Sequence, residues 1–364
     1  MGWPRHVVRL FLFVVALASC AVAQELQLVN SIDLTNTVGI PGQFTGIAFL
    51  SDTLLVVSNG NGSPTSIIYD IVRKSVIGRG TTCAMSGREL WSTLKGQLLA
   101  ACPEGLVLYN LEFQPVAKFP ESLKFKRRQV LLLSPSREFV SLNPLPRHGS
   151  ARVLATNTLL EVATFPSEPM WVYGLFKERY LVYRAGRPAN GGDFLSYRFS
   201  GLHPISLLSS GQSCVAGFGI SETEFLKVGC GKQPDGEVVD IATSAVLRRV
   251  ADTDSADFVQ TASSGKRFAL GFLEYSKSHV VSQTANPLTY LKALGTCCDD
   301  PANQFRLRIY DSQSGRKLAE VHWKMEKSEP MWERYDNSAV SLSPSGDYIA
   351  FLRHKVLEVY RVPQ

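Results

Sequence analysis

The chain has 364 residues, 45% of them hydrophobic, and 38 basic against 32 acidic side chains, which gives a formal net charge of +6. This apolar content can supply one large core, and a charge this small does not indicate a nucleic-acid-binding protein. We therefore expect a single folded domain that does not bind nucleic acid.

The N-terminal 23 residues have the three-part design of a secretory signal peptide. Arg5 and Arg9 precede the apolar run 10–18, which is too short to span a bilayer. A small-x-small triplet that ends at Ala23 then predicts cleavage after that residue. Cleavage removes two arginines and no acid, so the mature chain, residues 24–364, keeps 36 basic against 32 acidic side chains and a net charge of +4.

A second interpretation of the same segment is a bacterial lipobox, in which Cys20 would become a lipidated first residue. We favour simple release, because the alternating pattern that begins at Leu26 leaves almost no tether after Cys20. No later apolar stretch reaches membrane length. We therefore expect a secreted or periplasmic monomer without a transmembrane segment, and an outer-membrane lipoprotein is the alternative.

One short apolar phrase recurs seven times along the chain. Its anchor residues are Tyr69, Tyr109, Leu154, Tyr197, Val239, Tyr310 and Tyr360, and successive anchors lie 40, 45, 43, 42, 71 and 50 residues apart. A step of about 40 to 45 residues that contains alternating strands is typical of a propeller blade. The repeat therefore predicts an all-β, seven-bladed β-propeller, with each anchor in the third strand of a four-stranded blade.

The chain ends and the one long step refine this architecture. The last blade lacks a fourth strand, whereas the apolar alternation over 25–34 belongs to no blade of its own. Pairing that segment with the last blade would close the ring and remove exposed sheet edges. The 71-residue step indicates an insertion at 275–303, after the second strand of the sixth blade.

Two segments resemble the phrase that opens blades of WD40-like and YVTN-type bacterial propellers. The clearer copy is 341–350, a weaker copy is 133–140, and 310–315 is similar to the strand ending and turn of the same families. The sequence contains no Gly-His and no Trp-Asp dipeptide, so the Asp-His network of WD40 blades is missing. The resemblance implies the fold and says little about function.

In a propeller, the connections after the second and fourth strands emerge on one face, where we expect all six cysteines of the mature chain. These candidates for disulfides are Cys83, Cys102, Cys214, Cys230, Cys297 and Cys298. Cys214 and Cys230 should face each other across a hairpin, and a bond between them would contribute about 3 kcal/mol. For Cys297 and Cys298, three interpretations stay open: a disulfide, a metal site with the acidic pair that follows, or partners elsewhere. We favour the disulfide because the context is secreted.

The pentapeptide Ser-Glu-Pro-Met-Trp occurs at 167–171 and again at 328–332, each time before a predicted first strand. We favour packing between blades as its role, because tryptophan is more often a core residue than a ligand platform. The alternative is a binding surface at the mouth of the central channel. Its candidate residues, together with two from the insertion, are Trp171, Trp332, Glu168, Glu329, His279 and Tyr290.

The sequence favours binding over catalysis. It contains neither a G-x-S-x-G elbow nor an H-E-x-x-H motif, and the predicted inner strands, such as 130–133 and 339–342, are apolar or small. We expect a non-catalytic scaffold that binds a protein, peptide or glycan through the face carrying the insertion, without a catalytic residue, cofactor or metal. The alternative is a lactonase-like or other hydrolase, with or without a metal.

Overall fold

The computed structural model describes residues 25–34, 44–59, 65–84, 90–102, 105–119, 130–143, 150–166, 171–185, 192–200, 203–207, 216–229, 235–253, 256–274, 304–324, 339–353 and 356–364. These residues form seven sheets of four antiparallel strands. The predicted all-β propeller with seven blades in a ring is confirmed. Within the described ranges, no helix has the length and apolar character needed to cross a membrane.

The first strand that the structure describes is β1 (Gln27–Asp33), and the blades then follow in order, each from its innermost to its outermost strand. Blade 1 contains β2 Phe44–Phe49, β3 Leu54–Asn59, β4 Thr65–Asp70 and β5 Ser75–Thr81. Blade 2 contains β6 Leu90–Ser92, β7 Leu98–Cys102, β8 Gly105–Tyr109 and β9 Pro115–Lys118. Blade 3 contains β10 Val130–Leu133, β11 Phe139–Asn143, β12 Ser150–Ala155 and β13 Glu161–Pro166.

The remaining four blades follow the same order. Blade 4 contains β14 Trp171–Leu175, β15 Arg179–Ala185, β16 Gly192–Arg198 and β17 Ile205–Ser206. Blade 5 contains β18 Ala216–Gly219, β19 Glu224–Val228, β20 Gly236–Asp240 and β21 Val246–Val250. Blade 6 contains β22 Phe258–Thr261, β23 Arg267–Glu274, β24 Gln304–Asp311 and β25 Lys317–Lys324. Blade 7 contains β26 Val340–Leu342, β27 Tyr348–Arg353, β28 Val356–Arg361 and, as its outer strand, β1.

Strand β1 closes the ring, as the sequence predicts. It pairs antiparallel with β28, from Gln27 opposite Arg361 to Asp33 opposite Val356. The sheet order β1-β28-β27-β26 therefore joins the first and last strands of the chain in one blade. The C-terminal part of the chain supplies three strands of blade 7, and β1 supplies the fourth.

All seven predicted anchors lie in the third strand of their blade. In six blades the register between the third and fourth strands shifts at the anchor. In blade 1, Ile68 pairs with Gly78 and Tyr69 with Val76, so Ile77 is an extra residue on the outer strand. Such a β-bulge increases the local twist of a strand pair. The sequence repeat thus corresponds to a repeated bend of the backbone.

Three anchor tyrosines also connect neighbouring blades, and the first of them, Tyr69 of blade 1, accepts a hydrogen bond at 2.8 Å from the side-chain amide of Asn30 on β1. The Tyr310 hydroxyl donates a hydrogen bond to the carbonyl oxygen of Ala251, which follows the outer strand of blade 5, at 3.1 Å. The Tyr109 hydroxyl accepts one from the Cys83 amide, after the outer strand of blade 1, at 3.2 Å. These bonds give the buried phenols polar partners that an aliphatic anchor would not need.

The hydrophobic core is divided among the blade interfaces. The described residues form seven clusters of buried side chains, and each cluster joins two adjacent blades. The cluster between blades 7 and 1 contains Ile32 and Leu34 from the N-terminal segment together with Phe49 and Leu357. Burial of apolar surface therefore holds the closing interface as it holds the other six.

The strand order divides the connections between two faces. Connections from strand 1 to 2 and from strand 3 to 4 emerge on one face, which we call the lower face. Those from strand 2 to 3 and from each blade to the next emerge on the other, the upper face. The insertion 275–303 lies outside the described residues, but its ends, after β23 and before β24, are at the upper face.

Candidate binding pocket in the central channel

The seven innermost strands enclose a central cavity of about 460 Å³. Each blade contributes lining residues, which include Ile47, Leu175 and Val259. The side chains of Ile47 and Leu175 are buried in clusters between blades, so these residues contribute little side-chain surface to the cavity. Polar side chains are fewer, and Ser92 and Ser341 are two of them, but together with backbone groups they make the exposed lining about as polar as apolar. Most lining residues are apolar or small, as the sequence predicts, whereas the surface they expose to the cavity is mixed.

One charged side chain, Arg137, also lines this cavity. It belongs to the turn between β10 and β11, where its amide donates a hydrogen bond to the Ser134 carbonyl at 2.8 Å. Its Nη1 donates to the Phe49 carbonyl at 3.0 Å and to the Ser92 hydroxyl, and its Nη2 donates to the Leu342 carbonyl at 3.2 Å. These acceptors belong to blades 1, 2 and 7. The Arg137 side chain therefore extends from blade 3 across the channel.

The same turn of blade 3 also contacts blade 5, on the other side of blade 3 from blades 1 and 2. The Ser136 amide donates a hydrogen bond at 2.8 Å to Glu222 of blade 5, past the short turn of blade 4. Pro135 lies so close to Gly219 of blade 5 that a Cβ added to this glycine would be 3.3 Å from the proline Cγ. Because one turn contacts blades 1, 2, 5 and 7, it seals the channel at the lower face. We call the segment Ser134–Glu138 the sealing turn.

The sealing turn has an arginine where sister turns have glycine. Arg137 has a φ of +64°, and Gly96, Gly265 and Gly346 have φ of +72°, +70° and +81°. Each of these residues donates the same amide hydrogen bond to the carbonyl three residues before it. A side chain in this left-handed conformation costs about 1–2 kcal/mol. Left-handed non-glycine residues also occur in four lower-face turns between strands 3 and 4, so the distinctive property of Arg137 is the reach of its side chain.

Arg137 keeps its charge in this half-buried position. Burial lowers the pKa of its guanidinium to about 10, so the group is protonated at neutral pH. Its acceptors in the described part of the chain are two carbonyl oxygens and one hydroxyl, all of them neutral. The sealed end of the channel therefore carries a positive charge held in place by dipoles.

Of the six residues predicted from the sequence to bind a ligand, one lies in the described part of the chain. Trp171 is the first residue of β14, at the upper end of an inner strand. The remaining candidates lie outside the described residues, and they are Trp332, Glu168, Glu329, His279 and Tyr290. A binding surface formed by these six residues stays a prediction.

Of the six cysteines, Cys83 and Cys102 are joined by a disulfide, with their Cα atoms 5.1 Å apart. The bond links the end of blade 1 to the second strand of blade 2 at the upper face. The other four, Cys214, Cys230, Cys297 and Cys298, lie outside the described residues, as does the N-terminal segment with Cys20. Among described residues, no group of three or more His, Cys, Asp or Glu is arranged to hold a metal ion.

Arg137 is the site residue that the sequence interpretation missed. The segment 133–140 is the weaker copy of 341–350, and alignment of the two places Arg137 opposite Gly346. An arginine at a glycine position of a repeated turn was the available signal. The number of blades its side chain would contact could not be read from that alignment.

The sequence matches no family model, and a comparison with curated proteins also found no match. The fold and the pocket define the class on their own: a seven-bladed β-propeller of four-stranded blades, closed by its N-terminal strand and sealed at the lower end of its channel by Arg137.

Proposed function

We propose that this propeller is an exported, non-catalytic binding scaffold that holds a protein, peptide or glycan on its upper face, with the insertion 275–303 as part of the contact surface. Rigid rings suit this role, because they hold loops in fixed positions at low cost in ordering entropy. The Cys83–Cys102 disulfide supports export, since such bonds persist in oxidising compartments.

The observation that carries the proposal is the completeness of blade 6. Strands β23 and β24 pair in unbroken register up to Glu274 opposite Gln304. In blades 2 and 7 the corresponding connections need only two residues, between Cys102 and Gly105 and between Arg353 and Val356. Residues 275–303 are therefore additional to a finished blade, and additions of this size to a compact domain are commonly functional.

The lining of the channel supports binding over hydrolysis. Its described residues supply apolar side chains, hydroxyls, an amide and one guanidinium. Hydrolysis by the alternative, a lactonase-like enzyme, would need a general base or a metal-bound water at that place.

The test replaces residues 275–303 by Asn-Gly, a two-residue turn that suits a β-hairpin. The shortened and the full mature proteins are compared on peptide and glycan arrays, with circular dichroism as the folding control. We expect array members that the full protein retains to be lost from the shortened one. Unchanged binding would contradict the role of the insertion, and metal-dependent turnover of lactone substrates by the full protein would contradict the non-catalytic role.

A further inference from the structure

Among the residues that the structure describes, one edge of the Arg137 guanidinium has no hydrogen-bond acceptor. An arginine has five N–H donors. Nη1 donates its two hydrogen bonds to Phe49 and Ser92, and Nη2 donates one to Leu342. In the described part of the chain, the last N–H of Nη2 and the N–H of Nε have no acceptor. Nε and Nη2 form one edge of the planar group, which is suited to binding a carboxylate through two parallel hydrogen bonds.

The described part of the chain also places no carboxylate against this edge. Burial alone accounts for the lowered pKa of Arg137, without a contribution from a neighbouring carboxylate. A half-buried cation that is surrounded by neutral acceptors attracts an anion more strongly than an exposed one, because the local dielectric constant is lower. An anion bound here would supply the missing charge.

The cavity above Arg137 limits the size and character of that anion. Its volume of about 460 Å³ is within the range of small-ligand sites, and its lining exposes apolar and polar groups in about equal measure, with Ser92, Gln260 and Thr261 among the polar residues. A ligand that fits has one anionic group and a small body that contacts both kinds of surface. We infer that the sealed end of the channel is a binding site for a small organic acid, whose carboxylate is held by the Nε and Nη2 edge of Arg137.

The three hydrogen bonds from Arg137 to other blades support this inference. They hold the guanidinium plane before any ligand arrives, and such preorganisation lowers the entropic cost of binding. A glycine would build the same turn with less strain, as it does in blades 2, 6 and 7. The inference does not depend on the proposed scaffold role, because no residue of 275–303 is used in the argument for the channel site.

The test is isothermal titration calorimetry of the mature protein with phenylacetate, its neutral amide phenylacetamide, and inorganic phosphate. Arg137→Gly removes the guanidinium with a residue that the turn accommodates. Arg137→Lys keeps a charge without the planar edge. Arg73→Gly is the matched control, because it removes an arginine that is 76% exposed on another lower-face turn.

We expect phenylacetate to bind, and phenylacetamide to bind at least about tenfold more weakly. Arg137→Gly should lose at least about tenfold in phenylacetate affinity, Arg137→Lys should lose less, and Arg73→Gly should bind as the parent does. The inference is overturned if Arg137→Gly binds phenylacetate as tightly as the parent, or if phenylacetate does not bind the parent at about 10 mM. Binding of phosphate alone would overturn the assignment to a carboxylate. Deletion of the insertion is a separate variant, so failure of the scaffold proposal and failure of this inference can be distinguished.

Discussion

The guanidinium of Arg137 in blade 3 donates a hydrogen bond to the Phe49 carbonyl oxygen in blade 1, 3.0 Å away. These blades are not neighbours in the ring, so the bond spans the central channel. Most hydrogen bonds between blades join neighbours and stabilise their interface, whereas this bond lies across the lower end of the channel. Arg137 also lines the cavity, and in the site that we infer its Nε and Nη2 edge faces the ligand.

Replacing Arg137 by glycine should leave the fold intact. The change loses three hydrogen bonds but also removes a half-buried charge and the left-handed backbone strain, so the free energy of unfolding should fall by less than about 1.5 kcal/mol. The comparison is Gly346→Ala at the same turn position of blade 7. Its new Cβ would lie 2.9 Å from Arg267 at a φ of +81°, and the loss should exceed that of Arg137→Gly. Urea unfolding measures both, and the reverse order would contradict this account of the turn.

Strand β1 should stabilise the folded protein through the side chains on its buried face and not through those on its exposed face. Ile32 is 7% exposed and packs between blades 7 and 1, so Ile32→Ala should cost about 2–4 kcal/mol. Leu28 on the same strand is 51% exposed, and Leu28→Ala should change stability by less than about 0.5 kcal/mol. Denaturant unfolding separates the two. Equal small effects would mean that β1 does not close the ring in solution.

The Cys83–Cys102 disulfide should stabilise the protein in the oxidised state. It encloses residues 83–102, and in the chain-entropy model a loop of this length is worth about 3 kcal/mol. The double variant Cys83→Ser/Cys102→Ser should unfold at lower denaturant concentration than the parent. A reductant should lower the stability of the parent and leave that of the variant nearly unchanged. A parent that reductant does not affect would argue against this bond.

The charged cluster on the outside of blade 6 should make stability depend on acid pH. Burial opposes ionisation of Glu320, but hydrogen bonds from Lys317 and Arg308 and their charges outweigh it and lower the pKa. The resulting stabilisation is present above the ordinary glutamate value of 4.5 and is lost as pH falls through the lower folded pKa. Glu320→Gln should therefore cost about 1–2 kcal/mol at pH 7.

The same comparison in acid is its control. A protonated glutamate resembles glutamine, so the stability difference between Glu320→Gln and the parent should shrink towards zero as pH falls below 4.5. Thermal unfolding across this range measures it. A difference that is constant with pH would show that Glu320 acts through packing.

The fold could be predicted because the repeat lies in the strands themselves. Tyr69, Tyr109 and Tyr310 occupy equivalent third-strand positions at β-bulges, and the period between them was visible in sequence. Ring closure followed from counting, since the last blade had three strands and the N-terminal segment 25–34 had no sheet. Both deductions use local patterns that burial and pairing enforce.

The pocket could not be predicted in this way, because it depends on contacts between distant segments. Arg137 and Leu342 are 205 residues apart, and Ser136 and Glu222 are 86 apart. Only the assembled ring determines that the turn of blade 3 extends across the axis. The hydrogen bond between Ser136 and Glu222 passes the turn between β14 and β15 of blade 4, which has only three residues. No sequence motif indicates that a short turn in blade 4 accompanies a contact between blades 3 and 5.

A crystal structure of the protein with phenylacetate would show directly whether Arg137 binds a carboxylate. We expect both carboxylate oxygens about 3 Å from Nε and Nη2 of Arg137, inside the channel, while the hydrogen bonds to Phe49 and Leu342 persist. An Arg137 side chain turned away from the channel, or phenylacetate bound only at another place, would show that the inferred site is wrong.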